Sequence, residues 1–430
     1  MSAIRGMVGI AAAVVLALTA APAQGGGTTF VQPTGLFPDD LLNVQAAVDA
    51  GGTVVLGATG ASGEPLSFNF GPAVSRASGG RGVDITTDVS LIGERRGEAV
   101  ATIVGGNEPV EVFPGVRVIV SGLTFERPFF DAIFLNDPAS ATIVDNRIEH
   151  VVGSFVSPSL GLALGIDVFR GRKITITGNV IDDVDAPFAV GIAVFAARDV
   201  LIAGNRVSGT NTIAIEASGN TGVTRIVDNT VAPGPERYPR GAFGAGIETN
   251  GPGFYEIRDN DATCVNPNAG CIYVFGMTNL FSFGPVVAPV IEDNRIDVGT
   301  DGGAAIFLTG QVSQARITDN KLTGTGDAAF AIFGASCCPD RSDLFGNTFL
   351  DNDLTHFTSL SADVIFDEFT HDNVFTGQCR SVIDLGVGNQ ITCDSPADAR
   401  SSSAAAQAAV SRFQASAASE RVRRPEHVRR

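Results

Sequence analysis

Tryptophan is missing from this 430-residue chain, and tyrosine and histidine are rare, with three and four copies. The absence of Trp and the scarcity of Tyr weaken any aromatic platform on which a sugar ring could stack. The four histidines, at positions 150, 356, 371 and 427, are scattered along the sequence. They suggest neither a metal triad nor a histidine-assisted nucleophile, and no Ser/His/Asp constellation can be placed.

Positive charge is also scarce. The chain has 29 Lys and Arg against 46 Asp and Glu, which gives a formal net charge of −17 at pH 7. Because nucleic-acid binding requires clustered Lys and Arg, this balance argues against a nucleic-acid partner. It also makes a polyanionic substrate unfavourable unless a cation lies between the protein and the substrate.

Long apolar runs are absent beyond the N-terminus. Arg5 precedes an apolar run from Met7 to Leu18, and Ala21-Pro22-Ala23 follows as a small-residue cleavage site. Residues 1–23 are therefore predicted to be a secretory signal peptide, because the run is too short to span a bilayer comfortably. We expect a secreted or periplasmic/extracellular mature protein with no membrane span, and we expect it to be a monomer.

Six cysteines, an even number in an exported chain, predict disulfides. Cys264 and Cys271 are close enough in sequence to close one loop. The other four could pair in three ways, between which the sequence does not choose: Cys337, Cys338, Cys379 and Cys393. Zinc is the competing interpretation, but no Cys-x-x-Cys pair or matching His spacing supports it.

The most informative feature is a short repeated phrase, such as Ile143-Val144-Asp145-Asn146-Arg147-Ile148. It recurs every 24 to 34 residues, and its asparagines are Asn146, Asn179, Asn205, Asn229, Asn260, Asn294, Asn320, Asn347 and Asn373. Two short strands joined at a bend explain the phrase, with Asn in the left-handed conformation of the bend and its amide bonded to the next Asn. Only parallel, in-register stacking at ~4.8 Å per coil aligns all nine. The sequence therefore predicts an all-β, right-handed parallel β-helix of about eleven coils with an Asn ladder.

The remaining segments organise around this solenoid. Residues 24–38 are predicted to be a linker, and residues 39–50 a helix that caps the first coil, because acidic residues open the segment and glycines end it. The β-helix is predicted over 51–394. The Ser, Ala and Arg-rich residues 395–430 are predicted to be a flexible basic tail.

A second marker aligns the coils: a small residue, an aliphatic residue and then an outward residue, as in Gly165-Ile166-Asp167. The outward positions form a column because strand residues alternate between faces. Reading along the coils, this column is Phe134, Asp167, Ala193, Glu216, Glu248, Tyr273, Phe307 and Phe333. Irregular spacing locates long loops at 149–164, 232–245 and 276–288, which we expect to wall a cleft around the acidic part of the column.

Three carboxylates in this column are the candidate site. Glu216 and Glu248 lie on neighbouring coils and could act as the close carboxylate pair of a retaining glycosidase, whose carboxyl groups are ~5–5.5 Å apart. Alternatively, Asp167, Glu216 and Glu248 could bind Ca²⁺, which prefers hard oxygen ligands, while Arg237 or Arg240 assists elimination on a uronate. The competing interpretation is that these carboxylates are solvated surface residues that keep the solenoid soluble.

The phrase Arg198-Asp199-Val200-Leu201-Ile202-Ala203-Gly204-Asn205 and the opening Asp40…Gln45-Ala46-Ala47-Val48…Gly51-Gly52-Thr53-Val54 resemble the pectin-lyase-like right-handed β-helix superfamily. The resemblance covers roughly residues 38–393. It implies that a ligand lies along one outward strand face between long loops. The superfamily includes polysaccharide lyases, glycoside hydrolases, epimerases and non-catalytic surface proteins, so fold alone does not assign function.

The sharper motifs of polygalacturonases, alginate epimerases and pectate lyases are missing, and no catalytic residue is transferred by motif. Two hypotheses follow. The first is an exported polysaccharide-active enzyme, a lyase or glycoside hydrolase. The second is a non-catalytic secreted or cell-surface solenoid that binds glycan or serves a structural role.

Overall fold

The computed structural model describes residues 27–72, 82–157, 160–234, 244–264, 270–276, 284–300, 302–334 and 344–394, together with 398, 399 and 411. Several predictions concern residues outside these ranges. They are the signal peptide, nearly all of the basic tail, the middle of the 232–245 loop with Arg237 and Arg240, and Cys337 and Cys338.

The chain winds as a parallel β-helix, as predicted, and it has three strand faces. The first face is one sheet in which each described strand pairs in parallel with the strand of the next coil. Its fourteen strands extend beyond the coils that carry the repeated phrase. They are Thr28–Val31, Gly52–Leu56, Val89–Gly93, Arg117–Ser121, Ser140–Val144, Arg172–Thr177, Arg198–Ala203, Thr221–Val227, Phe254–Arg258, Val290–Glu292, Arg316–Thr318, Thr348–Leu350, Val374–Gly377 and Gln390–Cys393.

The second face follows the Asn corner. Its strands are Phe68–Asn69, Thr102–Val104, Thr124–Glu126, Arg147–Val152, Val180–Asp185, Arg206–Thr210, Thr230–Ala232, Asp261–Thr263, Arg295–Asp297, the first part of Lys321–Phe333, and Asp353–Ser359.

The third face returns the chain to the first. Its strands are Val83–Ile85, Val110–Val112, Asp131–Asn136, Leu160–Phe169, Phe188–Phe195, Ile213–Ser218, Ala245–Asn250, Gly270–Gly276, Gly302–Gly310, the second part of Lys321–Phe333, Val364–Phe366, Ser381–Asp384 and Asp398–Ala399.

Smaller pairings complete the described structure. Ser154–Ser157 forms an antiparallel hairpin with Leu160–Phe169. Val286–Val287, Val312–Ser313, Leu344–Phe345 and Thr370–His371 form a four-stranded parallel sheet, and Arg95–Arg96 pairs with Ala99–Val100.

Columns of aliphatic side chains fill the interior of the solenoid. Ile143, Ile176, Ile202, Ile226 and Ile257 pair in sequence across five strands of the first face, and all are fully buried. Burying an isoleucine side chain contributes roughly 1.5–3 kcal/mol, so the repeat supplies a stabilising increment with every coil.

The predicted Asn ladder exists, but it is two ladders. In the first, each Asn accepts hydrogen bonds at its Oδ1 from the backbone N–H and the Nδ2 of the Asn one coil earlier, at 2.9–3.1 Å. Its members are Asn146, Asn179, Asn205, Asn229, Asn260, Asn294, Asn320 and Asn352. Asn347 and Asn373 instead form a second ladder with Asn389.

The prediction that nine asparagines form one row was therefore wrong at Asn347 and Asn373. Asn320 follows a first-face strand, whereas Asn347 precedes the first-face strand Thr348–Leu350. Both corners join two short strands through a left-handed residue and an Asn, so the local sequence is the same at two different corners.

The left-handed residue at the first corner is not the Asn. It is the preceding Asp or Gly, as shown by φ angles of 55° at Asp145, 66° at Gly178 and 56° at Asp228. The prediction that Asn adopts this conformation was wrong, and the correction explains why the phrase places Asp or Gly before each Asn, since these residues tolerate a positive φ. The Asn itself is left in a conformation that directs its amide along the solenoid.

The N-terminal helix spans Asp39–Asp49 and buries Val44, Ala47 and Val48 against the first coils. Buried Asp40 fixes it by accepting hydrogen bonds from the N–H of Thr34 at 2.6 Å and of Asn69 at 2.8 Å. The stretch predicted as a linker differs from expectation, because Thr28–Val31 pairs in parallel with the strand Gly52–Leu56. The first sheet thus begins before the helix.

Two disulfides close loops in the described chain. Cys264 bonds to Cys271, as the sequence predicted, and Cys379 bonds to Cys393, which selects one of the open pairings. Across the described ranges, no helix has the length and apolar character needed to cross a membrane.

Candidate functional site

The predicted outward column lies on the third face, in the predicted register. Phe134, Asp167, Ala193, Glu216, Glu248, Tyr273 and Phe307 pair one after another across seven parallel strands. The eighth position is Ala331 rather than Phe333, because Phe307 pairs with Ala331. Phe330 fills the inward position that the sequence pattern assigned to an aliphatic residue, and this shifts the register by two.

Burial distinguishes this column from an ordinary solenoid surface. Asp167 is 4% exposed, Glu216 is 1% exposed and Glu248 is fully buried. The interpretation that these carboxylates are solvated surface residues is therefore wrong. The burial of these three side chains also differs from the expected cleft, in which they would line an accessible surface between long loops. Burying carboxylates is costly unless they are hydrogen-bonded or paired, so this arrangement needs a stabilising environment.

A hydrogen-bonded chain joins the two glutamates. The side-chain amide of Asn250 donates to Glu248 Oε1 at 2.6 Å and to Ser218 Oγ at 3.0 Å. Ser218 Oγ in turn donates to Glu216 Oε1 at 2.9 Å. Glu216 and Glu248 are partners in parallel register on adjacent strands, which places their backbones about 4.8 Å apart. One amide thus orients both carboxylates.

Tyr255 supports this chain from the first face. Its hydroxyl donates to the backbone carbonyl of Asn250 at 2.8 Å, and its ring is fully buried. Burial raises the pKa of the Tyr255 phenol, and the charge of Glu216 adds to the effect. The phenol therefore stays protonated across the physiological range and remains a hydrogen-bond donor to Asn250.

Apolar groups border the glutamate pair on both sides. Towards the C-terminus, the Tyr273 ring stacks on Phe307 with centroids 5.2 Å apart and on Phe275 at 6.0 Å. Beside the column, three residues earlier on each strand, runs a second apolar cluster that is separate from the solenoid core; it consists of Leu164, Val190, Ile213 and Ala245, together with Ala193 of the column. The pair thus lies in a polar gap between two apolar surfaces, where electrostatic interactions are stronger than in water.

Asp167 is not adjacent to the pair. The strand that carries Ala193 lies between Asp167 and Glu216, so the Asp167 backbone is two strand spacings, about 9.6 Å, from that of Glu216. Among the described residues, no group of three or more His, Cys, Asp or Glu is arranged to hold a metal ion. Glu216 and Glu248 are brought together, Asp167 is set apart, and Arg237 and Arg240 lie outside the described residues.

Sequence reasoning did not identify Ser218, Asn250 and Tyr255. Ser218 and Asn250 each stand two residues after a column glutamate, on the same side of the same strand. That i, i+2 relationship was a usable signal for the two hydrogen-bonding residues. Tyr255 approaches from another face, and nothing local in the sequence indicates its contact.

Comparisons with known proteins agree with the fold. Residues 110–284 match the family described as the right-handed β-helix region. No curated protein matches the chain. Two solved structures that are similar to it are A-modules of Azotobacter vinelandii mannuronan C-5 epimerases. AlgE6 is 13% identical over 86% of this chain and 94% of its own, with a TM-score of 0.39, and AlgE4 is 15% identical over 81% and 97%, with a TM-score of 0.41.

The winding of the chain, its Asn ladders and the family match together define its class. The protein is a right-handed parallel β-helix.

Proposed function

We propose that the protein is exported and acts on a polysaccharide, with Glu216 and Glu248 as the reacting carboxyl groups. The observation that carries this proposal is the buried glutamate pair itself. Two carboxylates lie in register on adjacent strands, and Asn250 and Ser218 hold them through side-chain hydrogen bonds. Placing two such groups side by side away from water is unfavourable for stability, which supports a chemical role for them.

The geometry favours glycoside hydrolysis by the retaining route. Adjacent-strand spacing is close to the ~5–5.5 Å separation that this reaction requires of its two carboxyl groups. One group, as the carboxylate, attacks the anomeric carbon, while the other, as the protonated carboxylic acid, donates its proton to the departing oxygen. The second group then takes a proton from water, which hydrolyses the glycosyl-enzyme bond and releases the first carboxylate.

A calcium-dependent elimination is less well supported. It needs Asp167 as a third ligand, and the strand of Ala193 separates Asp167 from the pair. Arg237 and Arg240 remain candidates to assist such a reaction, on the strength of the sequence alone.

A second function is favoured by a different observation. Glu216 and Glu248 are 1% and 0% exposed, so a sugar can contact them only if the protein groups that cover them are displaced. A solenoid that binds glycan without turning it over, or serves a structural role, needs no such access.

A panel assay separates these functions. The mature protein is incubated with neutral and uronate-containing polysaccharides, with and without Ca²⁺. New reducing ends without added calcium are the expected result. Unsaturated ends that require calcium would replace the hydrolase assignment with a lyase. If no product forms from any polysaccharide, whether or not the protein binds it, the catalytic proposal is overturned.

A further inference from the structure

The outer surface of the first face divides into two parts of different chemistry. Over its second to seventh strands, two outward rows carry only Thr, Ser, Val, Ile, Leu and Ala. We name these twelve residues the neutral strip: Thr53, Val55, Ser90, Ile92, Ile119, Ser121, Thr142, Val144, Thr175, Thr177, Leu201 and Ala203. All but Ser90 are partly exposed.

The next strands of the same sheet carry ion pairs at the equivalent positions. Arg225 pairs with Glu256 at 2.9 Å, and Glu292 pairs with Arg258 at 2.6 Å and Arg316 at 3.0 Å. Charged side chains are thus common on this face. The twelve positions of the neutral strip, none of which is charged, are a local exception in a chain of net charge −17. Six of the twelve residues are Thr or Ser and six are aliphatic, so the strip offers hydroxyl groups and apolar contact without charge.

The shape of the neutral strip selects its partner. Its two rows are about 6.8 Å apart, and its first and sixth strands are about 24 Å apart, so it is a narrow, flat ribbon along the solenoid axis. With half a spacing included beyond each outer row and strand, its area is on the order of 400 Å², about half of the ~800 Å² that each partner buries in a stable protein interface. A globular partner or a second copy would extend past the ribbon onto charged side chains, whereas a linear polymer fits within it.

The hydroxyl groups of the strip are available to such a polymer. In the described part of the chain, the hydroxyls of Thr142, Thr175 and Thr177 make no hydrogen bond to the protein. Thr142 and Thr175 are partners on adjacent strands, as are Val144 and Thr177. The hydroxyls of Thr142 and Thr175 therefore lie one strand spacing apart, with that of Thr177 in the neighbouring row, next to aliphatic side chains that can contact the C–H faces of sugar rings.

Charge at the borders does not select for an anion. One border carries exposed Arg172 and Lys173, and Arg198 lies 3.4 Å from Asp199. The opposite border carries exposed Asp145. Because the borders carry both positive and negative side chains and the strip carries no charged side chain, a polyanion is not consistently attracted to it.

We infer that the neutral strip is a binding surface for an uncharged linear polysaccharide, lying along the solenoid axis and separate from the glutamate pair. Binding here tethers the protein to a polymer and does not depend on turnover. The strip and the pair lie on different faces of the solenoid.

The test is a binding measurement on the full mature chain carrying Glu216→Gln and Glu248→Gln, so that binding and turnover are separated. Affinity is measured for soluble uncharged linear glucan, mannan and xylan and for polygalacturonate, at low and high salt. Thr175→Arg and Thr177→Arg place bulky cations on the strip. Thr376→Arg makes the same change on an outward position of the same face, near its C-terminal end.

The expected result is binding to at least one uncharged polymer that is insensitive to salt. Thr175→Arg and Thr177→Arg should each weaken it at least tenfold, and Thr376→Arg should not. Thermal melts check that each variant is folded. If Thr175→Arg or Thr177→Arg does not fold, Thr142→Arg replaces it as the strip variant. Equal binding by the strip and control variants, binding to polygalacturonate alone, or no binding to any polymer would overturn the inference. Absence of turnover by the wild-type protein, with binding to the strip intact, would count only against the proposed function.

Discussion

The side-chain amide of Asn250 lies 2.6 Å from Glu248 Oε1, and both residues are fully buried. The same amide reaches Glu216 through the Ser218 hydroxyl. Asn250 is therefore the residue through which the geometry of both carboxylates is set, and its own backbone is fixed by Tyr255.

Replacing Asn250 with Ala should damage both stability and turnover. The change removes the hydrogen bonds that this amide donates to Glu248 Oε1 and to Ser218 Oγ, and the loss of a hydrogen bond to a buried acceptor costs about 1–3 kcal/mol. Misplacement of the carboxylates should lower kcat roughly 10- to 100-fold. Chemical denaturation and initial-rate assays measure the two effects. Asn136→Ala is the matched control, since Asn136 is an outward Asn on the same face and its side chain makes no hydrogen bond within the described residues. Equal effects of the two changes would count against the role of Asn250.

The division of the asparagines into two ladders predicts a pattern of energetic coupling. Asn320 bonds to Asn352, so alanine substitutions at these two positions should be non-additive by more than about 0.5 kcal/mol. Asn320 and Asn347 occupy different corners and should be additive. Double-mutant cycles on unfolding free energies measure both. If the Asn320 and Asn347 substitutions are non-additive while those at Asn320 and Asn352 are additive, the result would support the single ladder that the sequence predicted.

Asp367 predicts a pH dependence of stability. Burial, together with the charge of Glu368, raises its pKa from 3.8 to about 8, against the opposing hydrogen bonds from the N–H groups of Phe369 and Gly334. Between pH about 4 and 8 the folded protein holds a proton that the unfolded chain has released, so stability falls as pH rises through this window. In the Asp367→Asn variant, the side-chain oxygen can still accept the hydrogen bond from the Phe369 N–H, but the side chain no longer ionises. The denaturation midpoint of the variant relative to that of the wild type should therefore be higher at pH 8 than at pH 5. A difference between the two proteins that does not change with pH would contradict the raised pKa of Asp367.

The Cys379–Cys393 disulfide should stabilise the C-terminal coils. It closes a loop with a sequence separation of 14, for which the chain-entropy model gives about 3 kcal/mol. Replacing both cysteines with Ala should lower amide hydrogen-exchange protection in Val374–Gly377 and Gln390–Cys393, which pair with each other. The middle coils provide the internal control. Unchanged protection at the C-terminal strands would show that the bond contributes little.

Much of the fold was predictable because each coil repeats the same local requirements. The aliphatic column through Ile143, Ile176 and Ile202 and the acidic register of Glu216 and Glu248 both follow from a strand period of two. Register failed only where a coil broke the pattern. Phe330 replaced an aliphatic residue, and Asn347 repeated the phrase at a different corner.

The site was less predictable because its determinants are not local. Sequence placed Glu216 and Glu248 on neighbouring coils but did not reveal that both are buried, since cover over a strand face depends on distant segments. The contact between Tyr255 and Asn250 joins two faces of one coil and has no periodic signal. Whether an outward carboxylate is solvated or buried is decided by such tertiary contacts.

The most direct test of the proposed activity compares three glutamine variants on the polysaccharide that the wild-type protein degrades. Glu216→Gln and Glu248→Gln remove the ionisable groups of the pair, and Glu126→Gln alters an outward glutamate of the second face. Turnover should fall by about 10²–10⁴-fold in the first two and stay near wild type in the third, with all three folded. Wild-type turnover in folded Glu216→Gln and Glu248→Gln would contradict the assignment of the glutamate pair as the reacting groups.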